Sequence, residues 1–224
     1  MNLYYLLFFV SIVVTGFAQF LVSHRYSKYS KVKNSRGITG VEVAQAILKE
    51  NGLENVYVVE TKGYMSDHFD PNQNVVRLSS EVFHGATLSA AAIAAHEVGH
   101  AIQHKEGNFF MNIRNFIFPV VNLSSKFGYI AILIGFLLGL TDLVYLGIFM
   151  LFVILFFELV TLPVEFDASK RGMENLEKYQ ILVSDEKSGA SKVLSAAALT
   201  YVAGLITTLI EIARLLIVIG GNDD

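Results

Sequence analysis

Four stretches of this chain are long, apolar and nearly free of charge, and they leave few choices for the fold. Met1 to Ser23 contains no charged residue, which is enough for one helical crossing of a bilayer core about 30 Å thick. A second apolar region, residues 115–162, is long enough to cross twice. Between Phe127 and Phe157 its only charge is Asp142, and Gly139-Leu140-Thr141-Asp142 reads as a tight reversal on the outer side. Lys126 lies within the first of these crossings if it starts near Pro119, so it must snorkel, pair, or mark a later start. The last stretch covers residues 193–219, where Glu211 and Arg214 share one helix face as a pair that neutralises itself at the membrane. Hydrophobic residues make up 53% of the 224, against about 45–50% in soluble domains. The fold class that follows is mainly α and integral to the membrane, with about four transmembrane helices.

Charge places the ends of these crossings. Arg25, Lys28, Lys31, Lys33 and Arg36 follow the first, and Lys170, Arg171, Lys178, Lys187 and Lys192 lie between the third and fourth. Excess Lys and Arg beside a crossing marks the cytoplasmic side. The expected order is a transmembrane helix at 1–23, a cytoplasmic catalytic domain at 24–114, a transmembrane hairpin at 115–162, a cytoplasmic helical segment at 163–192, a transmembrane helix at 193–219 and an outside tail at 220–224. A cleaved signal peptide is the rival reading of the first stretch, since Gly16-Phe17-Ala18 resembles a small-residue cleavage site. The positive n-region is missing, however, and the basic residues lie on the wrong flank. Net charge is −3 and cysteine is absent, so nothing argues for nucleic acid, and any metal must be held by His, Glu or Asp.

The interval 38–86 has the composition of a soluble α+β domain. Thr39 reads as the cap of a helix from Gly40 to Glu50, which Asn51-Gly52 ends; Val56–Val59 and Val75–Leu78 read as strands, joined through a turn at Asp70–Asn74. The second strand is expected either as an exposed edge that pairs with an extended substrate peptide or as a plain structural strand. The next helix, from Thr87 to His104, carries His96-Glu97-Val98-Gly99-His100. Residues four apart lie one turn above each other, so both imidazoles project from one face with Glu97 beside them. Two neutral imidazoles bind zinc, and the intervening carboxylate takes a proton from water that the metal has acidified. Thr87 or Ser89 caps this helix, and the Ala90–Ala95 run favours helix and allows close packing.

A catalytic zinc needs a third protein ligand and an open position. Glu165, just past the third crossing, is the best acid in the second cytoplasmic segment. Pro163 suits a first helical turn, which puts Glu165 near a helix start, while Asp167 lies about 200° away from it. HEVGHAIQ together with LPVEFDAS, SDHFDPNQNVVRLS and the four-crossing layout resembles the membrane zinc metallopeptidases of the bacterial YugP-like group, over nearly the whole chain. More distantly, the pattern is similar to HtpX-like proteases and prenyl-protein CAAX endopeptidases. That resemblance implies a zincin-like (gluzincin) domain in which His96, His100 and Glu165 bind Zn2+ and Glu97 is the base. In the distant relatives the third-ligand helix reads ExxxD; here the last position is Ser169, with Asp167 or Asp70 as possible replacements for that aspartate.

His68 is the candidate oxyanion donor, set against a solvated His in a polar turn. Asp67 or Asp70 is a candidate to orient a ligating imidazole, with an Asx-turn as the alternative for Asp70. His104 belongs at the outer rim. Glu158 lies seven residues before Glu165, on nearly the same face unless Pro163 breaks the helix. Arg171, Tyr201 and Arg214 are weaker candidates for substrate or oxyanion contacts, set against structural roles. The resulting expectation is a bacterial multi-pass cell-membrane zinc endopeptidase whose catalytic domain faces the cytoplasm. Its partners are a protein or peptide substrate and the lipid bilayer. The competing readings are a scaffold with a structural metal and a zinc hydrolase of a small lipid or amide.

Overall fold

The computed structural model describes residues 3–220, so most of the expected outside tail lies outside the described residues. Seven helices and three strands follow in the order α1 (Leu3–Tyr29), α2 (Gly40–Glu50), β1 (Tyr57–Thr61), β2 (His68–Asp70), β3 (Val75–Ser79), α3 (Ser80–His84), α4 (Leu88–Lys105), α5 (Phe109–Leu138), α6 (Thr141–Lys178) and α7 (Ser184–Gly220). The chain divides into two compact units. One contains the residues up to Gln19, Phe110–Leu162 and those from Leu199 onward; the other contains Phe20–Phe109 and Pro163–Ala198.

The first unit is purely helical. Helices α1, α5, α6 and α7 are long and apolar enough to cross a membrane, as the uncharged stretches predict. The expected reversal is present, with Gly139 at φ +67° between α5 and α6, a conformation that favours glycine. Core packing here joins Ile132, Val144, Ile148, Leu151, Leu155 and Ile212. The Glu211–Arg214 pair is made at 2.6 Å, and Arg214 also donates to the Tyr4 hydroxyl at 2.8 Å. Lys126 lies inside α5 and is exposed.

In the second unit, a three-stranded sheet of order β1-β3-β2 packs with α2, α3 and α4 around one core. Thr39 caps α2 through the backbone N–H of Glu42, whose side chain reaches back to Thr39. This reciprocal box satisfies donors that a helix start otherwise leaves open. Val43, Ala44, Ile47 and Leu48 are buried along its inner face, at the i, i+3 and i+4 spacing that helix geometry requires.

Of the two readings of Val75–Leu78 the structural strand holds and the edge fails, and so does the helix start at Pro163. The Val75–Leu78 strand is not an edge: β3 pairs in parallel with β1 and antiparallel with β2, with His68 opposite Arg77 and Phe69 opposite Val76. Three residues of the polar run around His68 supply the second partner, so β3 has no free side for a substrate strand. Nor does Pro163 open a helix, because it lies inside α6. Its fixed φ is compatible with a helix, but it removes one ladder hydrogen bond and its ring crowds the carbonyl four residues before it. Downstream of it, close packing of Ala168 and Gly172 against α4 holds the chain helical.

Candidate metal centre

Helix α4 starts where its sequence says. Thr87 caps it, accepting from the Ala90 N–H at 3.2 Å. Its small residues then allow another helix to approach backbone to backbone. A Cβ on Gly99 would stand 2.5 Å from the Ala168 carbonyl oxygen, and one on Gly172 would stand 3.0–3.1 Å from the backbone of Ala95 and His96. The Ala-rich run anticipated this closeness, but Gly99 and Gly172 were not recognised as the contact points. Through that contact, the Pro163–Lys178 part of α6 presents Glu165 and Ser169 to α4.

One donor atom from each of His96, His100 and Glu165 falls within a group no more than 4.8 Å across. Glu165 Oε2 lies 3.3 Å from His96 Nε2 and 3.5 Å from His100 Nε2, and Glu165 is 2% exposed. The opposite ring nitrogens are held from behind. His96 Nδ1 is 3.1 Å from Ser169 Oγ, and His100 Nδ1 is 3.0 Å from Gln103 Oε1. The orientation of the Gln103 amide follows from its other contacts: its Nε2 donates to the Val164 carbonyl and to Asp167 Oδ2, both at 2.8 Å. Its Oε1 therefore accepts from His100 Nδ1–H, and the lone pair of His100 Nε2 is left for a metal. Asp167 is in turn fixed by Arg171 Nε at 2.7 Å, and Arg171 pairs with Glu106 at 2.7 Å. Two imidazole nitrogens and a carboxylate, with their outer hydrogen bonds in place, are a donor set that suits zinc.

Glu97 follows His96 on the same helix, is 8% exposed, and accepts from the backbone N–H of Phe69 in β2. Burial pushes its carboxyl up to about 7, with the carboxylates of Glu165 and Asp67 adding to the rise and His96 and the Phe69 N–H opposing it. A buried acid close to neutrality is suited to moving protons at physiological pH.

The remaining candidates separate clearly. His68 is exposed, and its Nδ1–H donates to the Ser66 carbonyl at 2.8 Å, so it donates from Nε2 only as an imidazolium. Asp67 orients no imidazole; it accepts from the Ser79 N–H at 2.7 Å and the Ser79 hydroxyl at 3.0 Å, tying the start of β2 to the end of β3. Asp70 makes the Asx-turn, accepting from the N–H groups of Asn72 and Gln73. Nor does Asp70 replace the missing aspartate: Ser169 itself contacts His96, while Asp167 acts on His100 through Gln103. His104 is exposed against Phe69. The sequence signal for Gln103 is its place three residues after His100 on the same helix.

Two comparisons with known proteins give the chain's family. The family model described as "Putative neutral zinc metallopeptidase" matches residues 4–220. The protein described as "Putative membrane protease YugP" from Bacillus subtilis (strain 168) is 44% identical over 223 residues, covering 98% of this chain and 99% of its own length. No solved structure gives a significant match.

Proposed function

The chain belongs to the neutral zinc metallopeptidase family, and from that premise we propose that it cuts peptide bonds of membrane proteins or exposed protein segments at the cytoplasmic face. The observation that carries the reading is the convergence of His96, His100 and Glu165 within 4.8 Å, beside the buried Glu97. His96, His100 and Glu165 would hold the zinc, which would supply a Lewis acid for the scissile carbonyl and for water. Glu97, as carboxylate, takes the proton of the attacking water and delivers it to the leaving amine nitrogen. Ser169 and the Gln103–Asp167–Arg171 series keep both imidazoles in the tautomer and orientation that binding requires. His68, as imidazolium, donates to the developing oxyanion. The sidedness rests on the basic residues flanking the first crossing and preceding the last.

The test is cleavage of unfolded casein by detergent-purified protein, with and without chelator, beside Glu97→Gln and His68→Phe at equal zinc content. Glu97→Gln is expected to lower turnover by about 10²–10⁴-fold, and His68→Phe by a smaller factor. Wild-type protein as inert as Glu97→Gln, at full zinc loading, would sink the reading. Sidedness is tested separately: the chain has no cysteine, so Ser35→Cys in intact cells should resist an impermeant thiol reagent until the membrane is opened.

A further inference from the structure

The helical unit holds a second polar site with no part in the proteolytic scheme. A cavity of about 410 Å³ is lined by Arg114, Phe157, Glu158, Thr161, Thr200, Tyr201 and Gly204. Within it, Glu158 Oε1 accepts from the Thr208 hydroxyl at 3.1 Å. Glu158 Oε2 and Thr161 Oγ1 are both buried and have no hydrogen-bond partner among the described residues. Thr161 is only 3% exposed, whereas Tyr201 is 38% exposed, so the wall of the cavity reaches the surface of the unit. In an apolar environment an unsatisfied carboxylate oxygen and hydroxyl each cost free energy, and an intramembrane acid implies a partner. What Glu158 Oε2 and Thr161 Oγ1 lack is a donor that reaches them both.

Its level in the unit narrows the choice. Arg114, Thr161 and Thr200 each lie within about a turn of where the helical unit begins or ends in sequence, at Phe110, Leu162 and Leu199. The cavity is thus at one end of the apolar helices, the depth at which lipid headgroups meet a membrane protein. We propose that this cavity binds the primary-ammonium headgroup of an aminophospholipid. The ammonium supplies up to three donors, enough for Glu158 Oε2 and the Thr161 hydroxyl together. Phe157 in the wall offers an apolar surface to the glycerol backbone. A choline headgroup carries the same charge but no N–H, so it satisfies neither oxygen.

That difference supplies the test. The full-length protein in detergent is melted with phosphatidylethanolamine or phosphatidylcholine of identical acyl chains, in wild type, Glu158→Gln and Thr161→Val. Phosphatidylethanolamine at about a hundredfold excess over its dissociation constant should raise the wild-type Tm by about 5 °C. Phosphatidylcholine should not, and the difference should vanish in Glu158→Gln. If Glu158→Gln does not fold, Thr161→Val decides: the ethanolamine-specific shift should fall by at least half, and its full retention overturns the proposal. Equal shifts from both lipids overturn it as well, as does stabilisation through Glu158 by a lysine-bearing transmembrane peptide but not by phosphatidylethanolamine.

Discussion

The two units differ in how far their polar side chains are linked to one another. In the unit that holds the metal centre, polar side chains from distant parts of the chain complete one another. Gln103 meets Asp167 and His100, Ser169 meets His96, and Asp67 meets Ser79. In the helical unit the polar contacts are isolated: Glu211 and Arg214 pair within one turn of α7, Arg214 reaches Tyr4 and Thr15 meets Thr207, while Glu158 Oε2 and Thr161 Oγ1 face a cavity without a partner among the described residues. The contrast teaches where chemistry can be built. Orienting two imidazoles takes a chain of side chains with fixed donor and acceptor roles, and a stretch selected for apolarity does not supply one.

The most severe way to break this arrangement is to part the helices that carry it. Gly172→Val puts a branched side chain against the backbone of Ala95 and His96. It should abolish zinc retention and hydrolysis together, measured as metal content and casein cleavage. A milder change removes the support and leaves the packing. Gln103→Leu, which strips His100 Nδ1 of its acceptor, should weaken zinc affinity by about 10–100-fold, read by chelator competition, with little change in the helical content measured by circular dichroism.

A third experiment uses Glu97. Its carboxyl is raised from 4.5 to about 7 by burial, so the folded state disfavours the charged form. Stability from this group is full below about pH 4.5 and is lost as pH rises through 7. Metal-free Glu97→Gln should therefore melt close to wild type at pH 4.5 and above it at pH 8; the reverse order would show that Glu97 is ionised at little cost. The smallest effect on chemistry is expected in the helical unit. Arg214→Met with Glu211→Gln removes the pair together and should leave zinc content and hydrolysis within about twofold, changing only the Tm, since paired charges contribute little net stability. A large loss of zinc would erase the distinction between the units.

Much of this was legible in the sequence because it is local. Nearly uncharged runs long enough to cross a bilayer became α1, α5, α6 and α7, and Thr39 and Thr87 cap the helices they precede. The spacing of His96, Glu97 and His100 is a property of one helix, so it implied a shared face before any fold was known. Glu165 was found by combining charge, sidedness and chemistry. The three-residue strand β2 was missed because it is too short and polar to show alternation; its place beside β3 comes from pairing and from Asp67 holding Ser79.

By itself, then, the sequence determined the apolar stretches, the helix starts and the shared helix face of His96, Glu97 and His100, each set by interactions within a few residues. The tertiary structure alone decided that Ser169 rather than an aspartate would face His96, that Gln103 and Asp167 would hold His100, and that β3 would lie at the centre of its sheet. It also decided the close approach at Gly99 and Gly172. These depend on which backbones can come within van der Waals contact, and that distance is fixed only when the whole core packs.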